Sequence, residues 1–69
     1  MEKLSKYLKE SNLTATQLAV LSGVSMPTIY GIINGRPVYK KTAKKISDAT
    51  HGKLKMEDFT IRKPPIVIN

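Results

Sequence analysis

The sequence predicts an all-α domain of five short helices, followed by an extended C-terminal tail that admits a β-strand. Three observations carry this expectation. Apolar residues recur at helical spacing, as in Leu4, Tyr7 and Leu8, because side chains three and four positions apart share one face of a helix. Stop signals interrupt the pattern at Ser11-Asn12, Gly23, Asn34-Gly35 and His51-Gly52, residues that tolerate the left-handed conformation with which helices often end. Finally, the character changes near the end of the chain, where Pro64-Pro65 forbids helix and Ile66-Val67-Ile68 is β-prone.

Residues 2 to 11 form the first amphipathic helix, with Lys3, Lys6, Lys9 and Glu10 on its wet side. Thr14 followed by Gln17 fits a capping box, in which each side chain satisfies an orphan backbone donor of the other residue. A second helix then runs from about Ala15 to Ser22, with Leu18, Ala19 and Leu21 facing inward. Gly23 breaks it. Ser25 is placed to cap the third helix, and Pro27 falls in its first turn, where a missing N–H does no harm. Ile29, Ile32 and Ile33 form its buried stripe, and Asn34-Gly35 ends it. Pro37 opens a fourth helix that continues to about Thr50, with Val38, Ala43, Ile46 and Ala49 inward. Leu54, Met56 and Phe59 suggest a last short helical turn. Residues 1–59 thus read as one domain and residues 60–69 as the extended tail.

Composition narrows the function classes. A chain of 69 residues buries only about 60% of its unfolded surface, so its core must be compact. It has no cysteine, which removes disulfides and thiolate metal sites from consideration. Met1 to Glu10 is polar and charged, unlike a signal peptide, and no apolar run approaches the ~20 residues that cross a bilayer. A soluble, cytoplasmic protein is the expectation. Twelve Lys and Arg against five Asp and Glu give a formal charge of +7, which favours a polyanionic partner through release of the counterions condensed on phosphates. Ribosomal, membrane-surface and RNA-binding proteins share that balance. Catalysis is not expected, because Asp48, Glu57 and Asp58 lack an acid–base partner in an apolar pocket. His51, the one histidine, sits at a helix end with no second ligand, so neither a metal nor a cofactor is expected.

The informative stretch is Thr14 to Gly35, TATQLAVLSGVSMPTIYGIING. Two short helices joined by a tight turn form a helix-turn-helix unit. Ala19 is small where the second helix approaches the third, Gly23 supplies the positive φ of the turn, and Val24 plugs the space beneath it. In Leu18-Ala19, Gly23-Val24-Ser25, Ile29, Ile32 and Asn34-Gly35 the chain resembles the Cro and phage-repressor type (XRE-like) of helix-turn-helix protein. Ala49-Thr50-His51-Gly52 and Glu57-Asp58-Phe59 also look like short Cro-like regulators, so the resemblance covers roughly residues 3 to 59.

The resemblance implies a lambda-repressor-like fold that binds double-stranded DNA as a transcriptional regulator, with the third helix in the major groove. Taking ~100° per residue from Ile29, Ile32 and Ile33 fall within ~60° of it, while Pro27, Gly31 and Asn34 point away and Thr28 and Tyr30 flank them. Met26, Pro27, Thr28, Tyr30 and Gly31 are therefore the base-contacting candidates. Relatives often carry Gln, Lys or Arg at Met26, Pro27 and Gly31, where the side chains bond base edges. This chain offers few such donors, and Ala15 stands where relatives often place a phosphate-contacting Gln. More reliance on phosphate contacts and DNA shape follows. The phosphate candidates are Thr14, Gln17, Ser25, Asn34, Arg36, Lys40 and Lys41.

Other readings stay open at this stage. Tyr30 is equally a partly buried core aromatic, and Lys44 and Lys45 read better as a solvated helix face. The tail either packs over its own domain or pairs Ile66, Val67 and Ile68 with a second chain as a two-fold dimer. The resemblance favours a homodimer on a near-palindromic operator, in a phage or bacterial cell and associated with the nucleoid. Rivals are a DNA-binding antitoxin or restriction-modification controller of the same fold, an RNA binder, and a protein-interaction adaptor that uses the apolar tail.

Overall fold

In the computed structural model, residues 1–62 are described. The order of elements is α1 (Glu2–Glu10), α2 (Ala15–Ser22), α3 (Met26–Ile33), β1 (Val38–Tyr39), α4 (Lys40–Ala49), a 3-10 turn (Met56–Asp58) and β2 (Ile61–Arg62). Among the described residues the fold is thus mostly helical, with four α-helices and one 3-10 turn where five helices were expected. The tail residues Ile66, Val67 and Ile68 lie outside the described residues.

The local signals act as their chemistry requires. Asn12 ends α1 at φ 56°, and the amide of Leu13 donates back to the carbonyl of Leu8 at 2.9 Å, which satisfies an orphan carbonyl of the last turn. Thr14 Oγ1 accepts from the Gln17 amide at 3.1 Å while Gln17 Oε1 accepts from the Thr14 amide at 2.9 Å, so the capping box is complete. Gly23 adopts φ 72°, and the chain turns through 120° between α2 and α3, the wide angle of a helix-turn-helix. Ser25 departs from expectation. It occupies the N-cap of α3 without a side-chain cap bond, and its hydroxyl instead pairs with that of Thr28 at 2.8 Å.

Leu4, Leu8, Leu18, Ala19, Val24, Ile29, Ile32, Val38, Ala43, Ile46, Leu54 and Phe59 form a single core. Ile33 and Ala49 pack at its margin. Leu21, expected inside, is 62% exposed, and Val20 beside it is 78% exposed. The helical period explains this. With Leu18 and Ala19 both buried, the inner direction lies between them, and Leu21 falls about 110° away from it at ~100° per residue. Ser22 takes the inward place and donates its hydroxyl to the Leu18 carbonyl at 2.7 Å. Thr50, the buried polar residue among those described, donates to the Ser47 carbonyl at 3.0 Å and accepts from the Leu54 amide at 3.2 Å.

The second departure is at the start of α4, which begins at Lys40 and not at Pro37. Val38 and Tyr39 form β1, parallel to β2, with Val38 opposite Ile61 and Tyr39 opposite Arg62. The Val38 amide donates to the Thr60 carbonyl at 2.9 Å. This partner is remote in sequence, and it holds extended a segment that local pattern alone assigns to helix. Tyr39, extended at ψ 149°, then becomes the N-cap of α4. Its ring also carries the Arg62 guanidinium at 5.5 Å from the ring centre, a cation–π contact that ties the two strands.

Candidate nucleic-acid interface

The candidate interface centres on α3, whose inner face is fixed by Ile29 and Ile32, both essentially inaccessible. Burial of that stripe dictates which residues face out. Pro27 and Tyr30 are exposed, Thr28 and Gly31 are half-buried, and Met26 is at the exposed margin. Met26 is less free than its position suggests, because its sulfur accepts a hydrogen bond from Thr16 Oγ1 at 3.6 Å. Thr28 is likewise engaged with Ser25.

Pro27, Thr28 and Gly31 line a depression of about 230 Å³ with Ile32, Arg36, Pro37 and Val38. Met26 and Tyr30 do not line it. Thr14 and Gln17 stand together at the N-terminus of α2, each already bonded to the other's backbone. The Thr14 hydroxyl, used there as an acceptor, keeps its own proton for a further partner. Asn34 is the exposed C-cap residue of α3. Lys40 and Lys41 are exposed in the first turn of α4.

That last placement has an electrostatic meaning. The N-terminus of a helix carries a partial positive charge, so a cation there costs roughly 0.3–1 kcal/mol. The first turn of α4 contains no acidic residue to offset the two lysines. An anion docked at this end would be attracted by the amides and both ammonium groups. From Ser11 to Ser47 the chain contains no Asp or Glu and five cations, Arg36, Lys40, Lys41, Lys44 and Lys45. The ion pairs among the described residues, Lys3–Asp58 at 2.8 Å and Lys6–Glu10 at 3.9 Å, both involve α1. Charge is therefore segregated, with uncompensated cations following α3.

Sequence reasoning placed Arg36 beside the interface but missed where its side chain lies. A Cβ built on Gly31 would stand 3.4 Å from Arg36 Cδ and 3.8 Å from its Cβ, so the arginine stem crosses the helix over the glycine. The signal was available in Asn34-Gly35. A glycine just beyond a helix end turns the chain back, and the next residue then contacts the last turn of that helix.

The sequence model of the helix-turn-helix family matches residues 4–54, from the first buried leucine of α1 to Leu54. The chain belongs to the helix-turn-helix family, in its Cro/XRE-like form, and is a DNA-binding transcription regulator of that type. Comparison with curated proteins and with solved structures gives no significant match. Among the described residues, no group of acidic or histidine side chains is placed to hold a metal ion, and no single helix is long and apolar enough to cross a membrane.

Proposed function

We propose that the protein is a Cro-like repressor that occupies an operator with α3 in the major groove and so blocks access of polymerase. The observation that supports this most directly is the exposed face of α3 bordered by cations that have no acidic partner among the described residues. Exposed ammonium groups at Lys40 and Lys41 supply the sequence-independent attraction to phosphates. Met26, Pro27, Thr28 and Tyr30 meet the bases, where the apolar Met26, Pro27 and the Thr28 methyl suit the methyl group of thymine. Thr14, Gln17, Ser25 and Asn34 set the register against the backbone.

Two copies bind together in this reading, because two recognition helices must reach successive major grooves about 34 Å apart. Ile66, Val67 and Ile68 are the proposed contact between copies, and a near-palindromic site follows from the two-fold axis. The deciding experiment is selection of bound duplexes from a randomised library at near-physiological salt. The reading expects a two-fold symmetric motif with half-sites one helical turn apart. A single half-site would keep the regulator and remove the dimer. No enrichment, with weak binding that ignores salt, would remove operator reading altogether, since phosphate contacts must weaken steeply as salt rises.

A further inference from the structure

The recognition helix is poor in hydrogen-bond donors, and the position where a long polar side chain would reach furthest into a groove is a glycine, Gly31. Arg36 covers that glycine. Its Cδ lies 3.4 Å from where a Cβ on Gly31 would stand, so the stem runs over the outward face of α3. The backbone leaves it little choice. The Arg36 amide donates to the Gly31 carbonyl at 2.8 Å, and the Gly35 amide to the Ile32 carbonyl at 2.9 Å. Gly35 sits at φ 85°, in the left-handed region. Together these bonds fold the chain back onto the last turn of α3. Pro37 follows at once and disfavours helical backbone at Arg36. The guanidinium is exposed and in no ion pair among the described residues. Arg36 lines one depression with Pro27, Thr28 and Gly31 and a second, smaller one with Met1, Gly35 and Asp58.

We infer that Arg36 is the specificity-determining residue of this helix, reading a guanine from outside the helix through the place that Gly31 leaves open. A planar guanidinium matches the O6 and N7 acceptors of guanine with two parallel bonds, a geometry an ammonium cannot reproduce. The role differs from the phosphate contact that its position in the sequence suggests. Gly31 is then a positioning residue, required small because the arginine stem occupies the space of its side chain. The inference rests on the proposal that α3 enters the major groove.

The test measures affinity of the full chain and of R36A, R36K and G31L for the selected duplex, and for duplexes in which each guanine is replaced in turn. Circular dichroism and thermal melting report on folding of each variant. The parent is expected to lose about ten- to a hundredfold at one guanine, the discrimination a bidentate pair supplies. That preference should vanish in R36A and also in R36K, which keeps the charge. G31L should weaken the same preference by taking the stem's seat, with Arg36 still present. A uniform loss across all duplexes in R36A, with a salt slope reduced by about one and recovery in R36K, would make Arg36 a phosphate contact and overturn the inference. Retention of the guanine preference in R36K or in a folded G31L would overturn it as well. Failure of the parent to bind any duplex is a different result, which removes the proposed function itself and this inference with it.

Discussion

The buried hydroxyl of Thr50 offers a quantitative test of how this small domain is held together. Thr50 is 1% exposed, and its Oγ1 accepts the Leu54 amide at 3.2 Å while donating to the Ser47 carbonyl at 3.0 Å. Thr50→Val keeps the shape and removes both bonds. The Ser47 carbonyl still receives the Gly52 amide at 2.9 Å, so the group left without a partner is the buried N–H of Leu54. An orphaned buried donor costs about 1–3 kcal/mol, and the added methyl returns up to ~0.8 kcal/mol of apolar burial. A net loss of about 1–2 kcal/mol should lower Tm by roughly 5–15 °C in a domain of this size. The assay pairs thermal melting with hydrogen exchange. In Thr50→Val the Leu54 amide should exchange faster than its neighbours beyond the global loss, whereas Thr50→Ser, which retains the hydroxyl, should leave it protected. A valine variant as stable as the parent, with Leu54 still protected, would refute the claim that this hydroxyl ties the end of α4 to the segment carrying the 3-10 turn.

Two further outcomes are expected. Asp58 accepts from Lys3 Nζ and from the Lys55 amide, both at 2.8 Å, and these bonds, the lysine's first, hold its carboxyl below the ordinary aspartate range. A depressed folded value means the contribution is present above the unfolded pKa and is lost as pH falls through the folded one. Asp58→Asn should therefore reduce stability at neutral pH and flatten the acid limb below about pH 4 in a series of thermal melts; an unchanged acid limb would count against the bridge. Leu21 lies outside the core at 62% exposure, so Leu21→Lys should change unfolding free energy by no more than about 0.5 kcal/mol in urea titration, as at ordinary surface sites. A loss of several kcal/mol would return Leu21 to the interior.

Much of the fold was legible because its determinants are local. The stripe of Leu4 and Leu8, the Thr14–Gln17 box, Gly23 and the Ile29–Ile32 face each depend on residues within one or two turns. Leu21 was misplaced for a related reason: leucine is apolar wherever it occurs, and only the angular position of Leu18 and Ala19 says which side of α2 is inside. The candidate interface was legible only as a list of residues on α3 and after it. How they group was not, because the bonds of Met26 to Thr16 and of Ser25 to Thr28 are made by side chains that any helix could have turned to solvent.

The sequence by itself determined the helices, their stops, the helix-turn-helix turn and the excess of positive charge, since periodicity, capping and net charge are properties of neighbouring residues or of composition. Tertiary structure alone decided the rest. Val38 and Tyr39 are a strand because the Thr60 carbonyl, far along the chain, takes the Val38 amide. Arg36 lies on the face of α3 because Gly35 folds the chain back across Gly31. Both depend on contacts between segments that the chain must first bring together, and the free energy of such contacts is written in no single stretch of sequence.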